Sequence, residues 1–179
     1  MFIRFFNISI WLAVGFILLN EAQASSIPNI YLFPFPPGFK FAHAAFFGAE
    51  FWNGPRPGES IQITRLSDRH NPIANADEAK GLLQDLIKIR QNALIGIVAE
   101  PIHFDEAKFR FQRAHSGWEF SVKGEIKNTF GSRMRVLERW YVQGTETYEF
   151  IYTEPAGALK RVGTIEAALA NFWPTDVKK

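Results

Sequence analysis

The residues of this chain that could do acid–base or metal chemistry are few and scattered. The four histidines are His43, His70, His103 and His115. None is spaced as His-x-His or His-x-x-x-His, the patterns that set two imidazoles on one face of a strand or helix. His103-Phe104-Asp105 would place two donors on one strand face, but no third ligand is specified. His115-Ser116 has the residue types of a base and a nucleophile, yet neighbours along a strand point to opposite faces. No Gly-x-Ser-x-Gly, P-loop or dinucleotide fingerprint occurs. Cysteine is absent, which excludes thiol catalysis, iron–sulfur clusters and cysteine-bound zinc. The expectation is a protein without a catalytic residue, metal or cofactor.

The side chains that do stand out lie in Arg133–Pro155, RMRVLERWYVQGTETYEFIYTEP. Its first half alternates Met134, Val136, Glu138, Trp140 and Val142 with Arg133, Arg135, Leu137, Arg139 and Tyr141. Its second half sets Tyr148, Phe150 and Tyr152 on one side. A three-residue loop, Gln143-Gly144-Thr145, would bring the even faces together and oppose Arg139 to Glu149. On that register the aromatics are mostly interior and an Arg row lies outside.

Glu138 interrupts the apolar face, and a buried carboxylate is costly unless paired. It reads as a partnered structural residue, as a sheet-edge position or as a ligand-contacting acid in a cleft. With Trp140 and Tyr148 it would line a pocket for a small apolar ligand. Arg133, Arg135 and Arg139, with Tyr141 beside them, read as a solvated face or as a docking patch for an acidic partner.

The elements that must position these residues follow from periodicity. Phe39–Trp52 and Glu59–Leu66 are strand-like, separated by NGPRPG, and predict a hairpin. Helical spacing of Ala79, Leu82, Leu83, Leu86, Ile87, Ala93 and Leu94 predicts an amphipathic helix, capped by Asn75 or Asp77. Phe104, Phe109 and Phe111 belong to a strand pair or one bent strand, and Pro101 marks an edge or an irregular start. Trp118, Phe120, Val122 and Ile126 share one strand face against Glu119, Ser121, Lys123 and Glu125. A last helix begins at Thr164, carries Ile165, Ala168, Leu169, Phe172 and Trp173 and stops at Pro174. The sum is α+β, an antiparallel β-sheet meander covered by two amphipathic helices.

Residues 1–24 have the layout of a secretory signal peptide. Arg4 precedes the apolar run Ile8–Leu19, and Ala22-Gln23-Ala24 offers small side chains to a peptidase. The run is shorter than the roughly 20 residues that span a bilayer. Cleavage after Ala24 and a secreted or periplasmic destination are expected. Residues 25–38, rich in proline and aromatics, read as an extended leader with Tyr31, Leu32, Phe33 and Phe35 laid on the domain surface or offered to a partner. Residues 39–174 form a single domain and 175–179 a polar tail. The net charge of +2 gives no case for nucleic-acid binding by overall field.

Phe35-Pro36-Pro37-Gly38-Phe39, the Glu138-Arg139-Trp140-Tyr141 strand, the Tyr148–Tyr152 strand ending in Glu154-Pro155, and the closing Phe172-Trp173 together resemble the PsbP-like domains. These share an α/β/α sandwich with Mog-type and DcrB-type proteins, and the similarity covers Pro36 to Trp173. The resemblance implies non-enzymatic work: protein binding that assists or stabilises a membrane-associated complex from the luminal or periplasmic side. The expectation is therefore an exported protein-binding domain. A carrier of a small apolar ligand and a hydrolase using Glu138 are the alternatives.

Overall fold

The computed structural model describes residues 35–45, 49–66, 72–93, 103–127, 131–170 and 172–174. Residues 1–24, Tyr31, Leu32, Phe33, His70, Leu94, Pro101 and residues 175–179 lie outside them. Among the described residues the chain forms an α+β fold with one seven-stranded antiparallel sheet and two α-helices. The strands are β1 (Lys40–Ala45), β2 (Ala49–Asn53), β3 (Ser60–Leu66), β4 (His103–Gln112), β5 (Gly117–Lys127), β6 (Arg133–Gln143) and β7 (Glu146–Pro155). The helices are α1 (Ala76–Ala93) and α2 (Val162–Leu169).

The sheet is two meanders joined, in the order β1-β2-β3-β7-β6-β5-β4. β2 and β3 make the expected hairpin, but Phe39–Trp52 holds two strands and not one, β1 pairing antiparallel with β2. From β3 the chain passes through α1 to the far edge, β4, and returns strand by strand until β7 pairs with β3. β4 is the bent strand rather than a pair: a bulge between Phe104 and Glu106 sits opposite Gly124. A Cβ on Gly124 would meet the carbonyl oxygen of His103 at 2.3 Å, so the kink needs glycine there.

Register decides which side chains share a face, and at the β6–β7 hairpin it departs from the expectation. Gln143 pairs with Glu146 across a two-residue turn whose first member, Gly144, has φ +58°. Glycine at that position matches the right-handed twist of the strands, which a longer loop would not require. Trp140 therefore faces Glu149, and Arg139 faces Phe150. Tyr148, Phe150 and Tyr152 lie on the side of Leu137, Tyr141 and the Arg row, opposite to Trp140.

Both faces are apolar at the sheet centre. On one, Ala79, Leu83 and Leu86 of α1 are buried with Phe120, Val122, Trp140 and Val142. On the other, Val162, Ile165 and Leu169 of α2, then Phe172 and Trp173, are buried with Ile61, Ile63, Leu137, Tyr141, Tyr148, Phe150 and Tyr152. Phe35 stacks on Trp52 with ring centroids 4.0 Å apart.

Helix starts follow from their caps. The Asn75 side chain accepts from the backbone N–H of Glu78 at 3.0 Å, and the Glu78 carboxylate accepts from Ala74 N–H at 2.9 Å. The first bond satisfies a donor that the first turn leaves free, and the second ties the residue before the cap back onto the helix. Asn75→Ala should cost about 1 kcal/mol of stability, read from urea unfolding; no change would show that water replaces the cap. α2 starts at Val162, two residues before the expected Thr164, because Arg161 N–H is held by the Glu154 carboxylate at 2.9 Å and sets the first turn there. Phe172 and Trp173 lie past its end, still buried.

Candidate functional site

Glu138 occupies the middle of β6 and is completely buried. Its neighbour on β7 is Glu149, one step diagonal across the ladder, since Glu138 pairs with Ile151 and Trp140 with Glu149. Arg90 reaches both carboxylates from the last turn of α1. Its Nε donates to the two Glu138 oxygens at 3.0 and 3.0 Å, and its Nη2 donates to Glu138 Oε1 and Glu149 Oε1 at 2.6 and 2.6 Å. The Trp140 indole N–H donates to Glu149 Oε1 at 3.1 Å. One guanidinium thus serves two carboxylates in a nearly dry site.

Burial pushes the Glu138 carboxyl up, Arg90 pulls it back and Glu149 raises it again, leaving it at about 8. A protonated Glu138 avoids burying its own negative charge next to the Glu149 carboxyl group. Burial works against the charge on Arg90, but the two carboxylates outweigh it and hold the guanidinium more firmly protonated than usual. Such a centre can hold and release one proton. Glu138 has no exposed surface, so a substrate could reach it only if α1 moved.

A second network closes the opposite face at the end of β7. Arg56 donates to Glu59 at 3.0 Å and to Glu154 at 2.9 Å. Arg135 donates to Glu154 at 3.1 Å, and Arg161 to Glu59 at 3.3 Å. The Tyr152 hydroxyl lies 2.8 Å from Glu59 and 3.0 Å from Glu154 and has its one proton to donate between them. Burial alone would raise the Glu154 carboxyl; the Arg161 N–H, Tyr152, Arg135 and Arg56 outweigh it and hold the group below its ordinary range. Burial and the two carboxylates push the Tyr152 hydroxyl up.

The Arg row expected outside is largely consumed in these contacts. Arg139 is buried, donates to Glu119 at 2.9 Å and reaches the carbonyl of Leu169 at the end of α2 at 3.4 Å. It does not meet Glu149. Glu119 also accepts from Arg110 and Gln112, each at 2.9 Å. Arg135 is half-buried and donates to Glu154 and to the carbonyls of Ala156 and Ala158. Arg133 alone of the three is exposed.

Tyr141 is buried edge-on to Phe172 and Trp173, with no partner for its hydroxyl. Trp140 and Tyr148 are both buried but on opposite faces. One pocket lined by both is therefore ruled out by the register.

His103 and Asp105 are exposed, 3.8 Å apart, and among the described residues no group of three or more His, Cys, Asp and Glu could hold a metal ion. His115 is in a 3-10 turn, Arg113–His115, and stacks on Trp173. Ser116 follows in a left-handed conformation, so the strand geometry expected for this pair does not apply.

Sequence reasoning found Glu138 but missed Arg90. The signal was present: Arg90 follows Leu83, Leu86 and Ile87 on the apolar stripe of α1, as Glu138 follows Val136 on an apolar strand face. Two charges on two apolar faces are candidates for each other.

The class defined by these features is an α+β domain with a single antiparallel sheet and matched buried ion pairs on both faces. No family model matches the chain, and no curated protein matches its sequence. No described helix is long and apolar enough to cross a membrane.

Proposed function

We propose that the protein is an exported, non-enzymatic domain, an α/β/α sandwich of PsbP-like kind, that engages a protein partner associated with a membrane complex in the periplasm or outside the cell. The observation that carries this reading is Leu159. It is 85 % exposed, yet it stands on a loop, residues 156–161, held by hydrogen bonds at Ala156, Ala158, Leu159 and Arg161. Ala156 N–H donates to Arg133 O at 2.9 Å, Arg135 holds the carbonyls of Ala156 and Ala158, Arg56 holds that of Leu159, and Arg161 N–H is fixed by Glu154.

A rigid apolar side chain held in water is destabilised alone and rewarded on association. The ordering entropy of its loop has already been lost in folding. Arg133, exposed where β6 begins, lies at the same end of the sheet and supplies a polar rim. The two buried networks support the same reading, since their carboxylates and guanidiniums are turned toward each other.

Leu159→Asp tests it. The exposed position predicts a stability change within about 0.5 kcal/mol. Cross-linked capture from envelope extract should lose the partner by at least about tenfold, as expected for a central anchor. An unchanged set of captured proteins at unchanged yield would remove the basis for the reading.

A further inference from the structure

We propose that β4 is a self-association edge, on which a second copy of this chain pairs its own β4 antiparallel and continues the sheet about a two-fold axis through Ala107. β4 ends the sheet and pairs only with β5 among the described residues. It is ten residues long, contains no proline, and every one of its residues is exposed or half-buried. Phe111 is 48 % exposed, and Phe104 and Phe109 on the same face are half-buried. A long outer strand with an apolar face is a template for another strand.

The side chains of β4 choose the occupant. Because the strand is bulged at Phe104–Glu106, Phe104 and Asp105 together occupy one step of the ladder. With Ala107 on the axis, Glu106 meets the second copy's Lys108 and Lys108 its Glu106, both on the charged face. Ala107 meets itself, and Phe104 meets the second copy's Phe109 on the apolar face. Asp105, 3.8 Å from His103, brings a carboxylate to the end where the second copy's Arg110 arrives.

Other registers fail. An axis through Lys108 opposes two lysines, one through Phe109 opposes Lys108 to Arg110, and one through Glu106 opposes two glutamates. A one-residue slip exchanges the apolar and charged faces. Glu106 and Lys108 already pair along their own strand, so the ionic groups need only re-aim across the axis. The dimer places aromatic pairs and opposite charges directly across from each other, the arrangement that stabilises neighbouring strands.

An edge contact of this kind buries less than a standard interface of about 1,600 Å². Sedimentation of the purified protein up to roughly 200 µM is therefore the right range. The expected result is a reversible monomer–dimer equilibrium. Glu106→Lys and Lys108→Glu should each weaken it by about tenfold, since each sets like charges opposite one another twice. Mixed together, the two variants should form a heterodimer, because their strands carry only lysines facing only glutamates.

The chain has no cysteine, so Ala107→Cys adds a single thiol on the axis that should oxidise readily to a disulfide-linked dimer. A monomeric parent at the highest concentration overturns the proposal. So does a dimer indifferent to both charge variants, or a mixture that fails to associate while each variant melts as the parent does. Capture of a different chain on β4, with no self-association, would assign the edge to that chain instead.

Discussion

Raising the pH from about 5 to about 8 should destabilise the protein steadily, and Glu138→Gln should abolish that dependence. In the unfolded chain the Glu138 carboxyl titrates near the ordinary 4.5, whereas in the fold burial pushes it to about 8. Between those values the folded protein holds a proton that the unfolded chain has released, so stability falls as pH rises through the window. Below it both states are protonated and the full contribution is present.

Each unit of difference is about 1.4 kcal/mol, and a loss of about 2–4 kcal/mol across the window follows. Burial sets the value first, and then Arg90 from α1, which lowers it, and Glu149 from β7, which raises it. Gln reproduces the protonated form, accepting from Arg90 and donating to Glu149. The variant should match the parent near pH 5 and exceed it near pH 8. Glu154 acts in the opposite sense. Its lowered carboxyl contributes stability present above 4.5 that is lost as pH falls through its folded value, so an acid limb remains in the variant. Urea unfolding at several pH values reads both limbs. A parent profile flat from pH 5 to 8, or a Gln variant with the parent's slope, would refute the shared-proton centre.

Truncating Trp140 or Phe120 to Ala should each cost about 3–5 kcal/mol. The two are cross-strand partners, are 1 % and 0 % exposed, and are packed in the same cluster as Ala79, Leu83 and Leu86 of α1. Loss of either ring removes burial and leaves a cavity that a sheet held on both sides cannot collapse. Trp140→Ala also removes the indole donor from Glu149, so it should be the more damaging. Because they touch, the double variant should cost less than the sum. Single variants within about 1 kcal/mol of the parent would mean these faces are not the interior.

How far these residues could be read from sequence divides along physical lines. Helix stripes, the Asn75 cap and the strand faces of β5 and β6 depend on neighbours a few residues away, so periodicity and side-chain chemistry reveal them. Trp140 and Phe120 were legible as interior for that reason. The face opposite them was misread. Alternation suggested one dry and one wet side, whereas Leu137 and Tyr141 are dry as well, and Tyr148 and Tyr152, expected interior beside Trp140, are interior on the opposite face.

What the sequence by itself determined was the α+β class, the absence of thiol chemistry and the oddity of Glu138. Only the tertiary structure decided what each charge meets. The β3–β7 pairing joins Ser60 to Thr153, and the two-residue turn at Gly144 sets every partner on β6 and β7. Arg90 and Glu138 lie 48 positions apart, and Arg56 and Glu154 lie 98 apart. A one-residue change of hairpin register exchanges the faces of a whole strand, and within a row that reads as surface Arg135 locks a loop and Arg139 is buried on Glu119, while Arg133 stays exposed. Charge positions are local information. Charge partners are set by closure of long loops; a charge on each of two apolar faces nominates a pair such as Arg90 and Glu138, but only the closed fold brings it together.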